Sequence, residues 1–158
     1  MADQKRMPLV EALDTFGRRE PAYFAIPGHR FERGISPELR MRWGDGVFRY
    51  DLTEAEGLDD LHHPEGAILE AQRLAAKLYG ADRTWFLVNG TTCGNEAMIL
   101  SAVKPGEKII ISRNAHKSAL MGLVLSGAVP VWVMPEYLKE WGMYGAVAPE
   151  AVGKAFLR

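Results

Sequence analysis

The densest run of residues able to do chemistry is Trp85-Phe86-Leu87-Val88-Asn89-Gly90-Thr91-Thr92-Cys93-Gly94-Asn95-Glu96. An apolar stretch stops at a turn rich in glycine and hydroxyl groups, and a helical pattern follows at once. That layout suits a phosphate. Glycines let the backbone approach an anion, threonines donate from hydroxyls, and a helix start adds unpaired N–H groups and partial positive charge. The run lacks the Gly-Lys-Ser/Thr ending of a Walker loop and the spacing of a dinucleotide fingerprint, so one phosphate fits better than a nucleotide. A strand-to-helix turn with a threonine cap would use the same residues, and local chemistry leaves both readings open.

A second group is Arg113-Asn114-Ala115-His116-Lys117-Ser118, which follows the next apolar run. An imidazole at His116 can stack on a flat aromatic ligand or hydrogen-bond to it. Taken alone, a histidine there more commonly caps or packs at a helix start. Lys117 reads as a surface or phosphate-facing charge. Pro27-Gly28-His29-Arg30 pairs a rigid turn with a cation, which suits an anion or carboxylate, or simply a solvated loop. His62 and His63 are adjacent, so their side chains diverge, and no acid or cysteine at finger spacing completes a metal site. The acidic run Asp51, Glu54, Glu56, Asp59 and Asp60 can attract a cationic substrate or stand as a solvated loop.

The surrounding pattern implies the scaffold. Pro8 to Phe16 reads as a short amphipathic helix with Gly17 as its stop. From Glu20 to Pro37 the chain reads as irregular, and from Trp43 to Leu61 as a long functional loop. Pro64 opens a helix whose apolar face is Ala67, Ile68, Ala71, Leu74, Ala75 and Leu78, with Gly80 at its cap. Strands are expected at Thr84 to Val88, Lys108 to Ser112 and Val129 to Val133. Helices are expected at Glu96 to Val103 and His116 to Leu125. This alternation implies an α/β fold, a mainly parallel sheet flanked by helices, behind an irregular N-terminal segment. Residues 1–63 hold the N-terminal helix and that irregular segment, and residues 64–158 form the first, incomplete part of a larger domain. Pro149-Glu150 starts a last helix that is expected to run on to Arg158, so the chain reads as a fragment of something longer.

Bulk properties narrow the function. The chain has 158 residues, 47% of them hydrophobic and 25% charged, as in ordinary globular proteins. A net charge of -1 offers no basic footprint for nucleic acid. The single cysteine, Cys93, fits a reducing, cytoplasmic compartment, and residues 1–20 lack the apolar core of a signal peptide. Ser118 to Met134 is apolar but broken by Gly122, Ser126, Gly127 and Pro130. It reads as a buried helix followed by a buried strand rather than a membrane span.

Taken together, these segments resemble the Orn/Lys/Arg decarboxylases, a fold-type-I family of pyridoxal-phosphate enzymes with an aspartate-aminotransferase-like large domain. The resemblance rests on Pro27-Gly28-His29-Arg30 with Gly34, on Asp51-Leu52-Thr53-Glu54 and Gly57-Leu58-Asp59-Asp60-Leu61, and on Pro64-Glu65-Gly66-Ala67-Ile68. It continues through Ala71-Gln72, Phe86 to Asn95, Ile111 to Ser118 and Gly127-Ala128-Val129-Pro130. It covers the chain from about Phe24 onward, in the family's order.

The resemblance implies that Gly90, Thr91, Thr92 and Cys93 wrap the phosphate of pyridoxal 5'-phosphate, and that His116 stacks on its ring. It implies a basic amino acid as substrate, with His29, Arg30 and Glu54 near the substrate or the dimer interface. It also implies a homodimer or an assembly of dimers. The family's Schiff-base lysine and the aspartate that pairs with the pyridine nitrogen come further along such chains than these residues reach. Lys117 is not that lysine, so the chain alone is expected to be inactive. The alternatives are a non-catalytic phosphate-binding or dimerisation module of the same fold, or another fold-type-I enzyme such as an aminotransferase or lyase.

Overall fold

The computed structural model describes residues 4–19, 24, 26–31 and 33–157. They divide into two compact units, one ending at Phe86 and one beginning at Leu87.

In the first unit, helix α1 spans Pro8–Arg18. Proline occupies its first turn, where the missing N–H costs nothing. Glu11 reaches back to accept from the Met7 N–H at 3.0 Å, and Arg6 pairs with both Glu11 and Glu70. Phe16 is buried and stacks on Phe31 with ring centroids 6.1 Å apart. Gly17 does not stop the helix as its type suggests. It lies inside α1, and the end comes at Arg19, whose N–H bonds the Phe16 carbonyl.

Two further short helices follow, the first between the two stretches expected to lack regular structure and the second inside the expected loop. Helix α2 (Pro37–Trp43) is capped by Ser36, whose Oγ accepts from the Leu39 N–H at 3.2 Å. Helix α3 (Gly46–Tyr50) is a single turn that buries Phe48, and the Tyr50 hydroxyl donates to Asp14 at 2.6 Å. Both are too short for the apolar periodicity of a longer helix to show.

Helix α4 (Ala67–Tyr79) begins three residues after Pro64. Its buried line runs through Gln72 and Ala76, with Leu78 left exposed, so the inner face is rotated from the expected one. It ends as the sequence suggests. Gly80 is left-handed at φ 66°, and the Ala81 N–H bonds back to the Ala76 carbonyl at 2.9 Å. A Cβ at Gly80 would meet nothing within 4 Å. Gly80→Ala is therefore expected to cost only the backbone strain, about 1 kcal/mol, read as a lowered unfolding midpoint.

The second unit starts with α5 (Gly90–Ala102), followed by β1 (Lys108–Ser112), α6 (Lys117–Ser126) and β2 (Val129–Val133). Strands β1 and β2 pair in parallel, Lys108 opposite Val129 through Ser112 opposite Val133. The pairing extends past both strand ends, through Gly106 N–H to the Gly127 carbonyl and Arg113 N–H to the Val133 carbonyl, each 2.9 Å. Helix α6 packs along α5, and Gly127 ends it in the left-handed region at φ 66°. A small antiparallel hairpin follows, β3 (Tyr137–Leu138) with β4 (Met143–Tyr144), and then α7 (Pro149–Ala155), which packs on β2. Helix α7 ends at Ala155, short of where the sequence pattern carries it.

The α/β class stands, with helices around a small parallel sheet, but that sheet has two strands rather than three among the described residues. Residues 84–88 are not a strand. Trp85, Leu87 and Val88 are largely exposed, at 67%, 49% and 76%. An apolar run becomes a strand only when a neighbour takes its N–H and C=O groups, and no described segment does so here. No helix among the described residues is long and apolar enough to cross a membrane.

Candidate functional site

Helix α5 begins earlier than the sequence pattern suggests. Gly90, Thr91, Thr92 and Cys93 are the first turn of the helix itself, not a loop before it. Gly90 holds φ at +68°, a left-handed value that glycine adopts without strain. Asn89, at the cap position, makes no side-chain bond to the helix, and the first turn contains no acidic residue. The leading N–H groups of a helix have no partner within the helix. Here no side-chain cap takes them, and the helix dipole adds about half a positive charge at the same end. Thr91 and Thr92 are exposed, and Cys93 is half-buried. These residues fit a phosphate ester: open donors, two hydroxyls, no repelling carboxylate in the turn, and free space where a Cβ on Gly90 would be.

His116 sits at the start of α6, beyond the end of β1. It is the cap of α6, with Nδ1 accepting from the Ser118 N–H at 3.2 Å. Nδ1 also lies 2.9 Å from the Ser118 hydroxyl, and that hydroxyl lies 2.7 Å from the Asn95 amide nitrogen on α5. Capping uses only one edge of the ring, and the residue stays exposed. Two motifs far apart in sequence are thus joined by hydrogen bonds within one unit. Lys117 is exposed. Arg113 stacks on Trp132, its guanidinium carbon 5.0 Å from the ring centroid, so its alignment follows the sheet.

His29, Arg30 and Glu54 lie in the first unit. His29 pairs through Nε2 with Asp51 at 3.1 Å and sets its ring edge-on to Phe48 at 5.5 Å. Its Nδ1 is buried with no hydrogen-bond partner among the described residues. Arg30 is exposed and holds a positive φ of 49°. Gly34 closes this turn. Its N–H bonds the His29 carbonyl at 2.7 Å, and a Cβ there would stand 2.6 Å from the Gly28 carbonyl oxygen.

The acidic run is largely engaged with its own backbone. Glu54 accepts from the Leu61 N–H at 2.9 Å, and Asp60 from the His62 N–H at 2.7 Å. Asp59 gathers the N–H groups of Asp60, Glu65, Gly66, Ile68 and Leu69, at 2.8 to 3.3 Å. It is therefore the N-terminal cap of α4, reached from eight residues upstream. Partial burial works to raise the Asp59 pKa, but the backbone donors outweigh it and hold the carboxyl below its ordinary value. His63 lies 3.1 Å from Glu65 at the surface. Among the described residues, no group of three His, Cys, Asp or Glu side chains is arranged to hold a metal ion.

Three residues carry more of this architecture than their types suggest: Asn95, Ser118 and Asp59. Asn95 and Ser118 stand inside recognisable motifs, but their contact with each other depends on how α5 packs on α6. For Asp59, the only local signal is an acid shortly before a helix.

Comparison with known proteins agrees with this geometry. A family model described as Orn/Lys/Arg decarboxylase, major domain, matches residues 7–158. An arginine decarboxylase of Halalkalibacterium halodurans is 44% identical over 155 residues, which is 98% of this chain and 32% of that protein. The inducible ornithine decarboxylase of Escherichia coli is 32% identical over 162 residues, 98% of this chain and 22% of its own length. The solved structure of the E. coli constitutive lysine decarboxylase superposes with a TM-score of 0.76 at 27% identity, covering 92% of this chain and 21% of its own. The chain thus spans a third or less of these relatives. A match that takes in both the α5 and the His116 motifs over nearly the whole chain leaves one assignment: the chain belongs to the Orn/Lys/Arg decarboxylase family.

Proposed function

We propose that the whole protein is a pyridoxal-phosphate-dependent decarboxylase of arginine, lysine or ornithine, acting as a homodimer or an assembly of dimers in the cytoplasm. The observation that carries this reading is the hydrogen-bonded bridge from α5 to His116. It ties an uncapped helix end, suited to a phosphate, to an imidazole suited to a flat ring. Gly90, Thr91, Thr92 and Cys93 hold the phosphate through N–H and hydroxyl donors, and His116 lies against the pyridine. When bound, the cofactor serves as the electron sink for loss of the carboxylate. The chain's own residues bind and orient it. The covalent lysine and the acidic partner of the ring nitrogen come from elsewhere in the protein, as does most of the substrate grip. His29, Arg30 and Glu54 serve substrate or dimer contact.

The test is amine release and cofactor absorbance in the full natural protein. His116→Ala is expected to weaken cofactor affinity about tenfold, the scale of one lost aromatic stacking contact of about 1–1.5 kcal/mol. Unchanged cofactor affinity in a folded variant would remove His116 from the site. Absence of amine release from all three amino acids would remove the decarboxylase reading itself.

A further inference from the structure

We propose that Ser118 is a positioning residue for His116, held in that role by Asn95, and that the pair sets which ring nitrogen carries the proton. Ser118 is the most buried side chain among the described residues, at 1% exposure, although serine is usually a surface residue. A buried hydroxyl needs partners, and this one has two, on different sides. The Asn95 amide donates into its oxygen at 2.7 Å, which directs the hydroxyl proton toward His116 Nδ1 at 2.9 Å. The backbone N–H of Ser118 aims at the same nitrogen from 3.2 Å.

A backbone N–H can only donate, so Nδ1 is the acceptor, and the neutral ring carries its proton on Nε2. Ring plane and tautomer are thus dictated from α5, the helix whose first turn forms the anion site. Asn95 decides the polarity. A carboxylate in its place would take the Ser118 proton for itself and turn the hydroxyl's lone pair toward Nδ1. This assignment rests on His116 being the ring-facing residue of the proposed site, but its test does not.

The experiment is nitrogen NMR of the full natural protein without cofactor, with histidine rings labelled and the His116 signals identified by their loss in His116→Gln. Wild type is expected to show a pyridine-type Nδ1 and a pyrrole-type Nε2. Ser118→Ala and the isosteric Asn95→Asp are each expected to lower the Nε2–H to Nδ1–H ratio about fivefold, the scale of one neutral hydrogen bond. A general loosening of α6 would change exchange and midpoint without favouring one nitrogen. A wild-type ring protonated on Nδ1 overturns the proposal, and so does a ratio unmoved in both variants. Neither reading involves the cofactor, so failure of His116→Ala to alter cofactor binding would count against the proposed function alone.

Discussion

Gly122→Val is expected to destabilise the second unit by about 3 kcal/mol, the upper part of the usual range for overpacking a core. Gly122 is buried on α6 and faces Ile99 of α5. A Cβ there would stand 2.7 Å from Ile99 Cδ1 and 3.1 Å from Ile99 Cβ. The first contact involves the end of a flexible side chain and can yield. The second involves an atom fixed to the α5 backbone, and Ile99 is itself 4% exposed, with little room to move. Alanine would gain about 1 kcal/mol of helix propensity over glycine, which offsets much of a single Cβ clash. Valine adds two more methyl groups with nowhere to go and gains less propensity. The helices must then part, and the Asn95–Ser118 bond between them lengthens. Urea unfolding measures the loss. A valine variant with the wild-type midpoint would mean that α5 and α6 do not pack at this glycine.

Asp59→Ala is expected to cost about 2 kcal/mol, the upper end for loss of a helix cap, because five N–H groups share the one carboxylate. Asp59→Asn keeps one good acceptor oxygen and should lose about half as much. The effect carries a pH signature. The folded pKa is lowered, so the unfolded chain binds the proton more tightly than the folded one. The carboxylate's contribution is therefore complete above the unfolded value of about 3.9 and fades as pH falls through the lower folded value. Wild type and Asp59→Ala should differ by a constant amount near neutrality and converge in acid. A difference that persists undiminished in acid, after the carboxyl has taken up its proton, would mean that Asp59 acts by packing and not by charge.

How far the sequence discloses this molecule depends on the range of the interaction concerned. Strands β1 and β2 and helix α6 are legible because each rests on nearby signals: three isoleucines in Ile109-Ile110-Ile111, a Pro105-Gly106 turn, and Gly127 where a left-handed cap must stand. Residues 84–88 carry the same apolar signal as β1 and remain unpaired, since pairing is decided by a partner distant in sequence. The start of α5 misleads for the opposite reason. Gly-Thr-Thr-Cys-Gly-Asn has poor helix propensity, yet packing on α6 and the bond from Asn95 to Ser118 keep it helical from Gly90. At the site, the sequence motifs single out Gly90 to Cys93 and His116. The link between them is a tertiary contact with no sequence period. Gly122 looks like a mere interruption in an apolar segment until Ile99 is placed against it. The acidic run looks like an electrostatic lure until Asp59 is seen closing a helix.

The parallel pairing that continues past both ends of β1 and β2 bears on how the second unit breathes. The chain leaves β1, passes through His116 and α6, and returns as β2, with the whole crossover fastened at each end. Helix α6 therefore cannot peel away by fraying from a loose terminus. Exposing the amides behind His116 requires either opening the ladder or separating α6 from α5, and both approach the free energy of unfolding the unit. The β3–β4 hairpin has two paired positions, extended only by the bonds of Glu136 to Gly145 and Ala146, and this shorter ladder opens at lower cost. Slow amide exchange should thus run from Ile109 through α6 to Val133 and give way to faster exchange beyond Tyr137, which places His116 within the most slowly opening part of its unit.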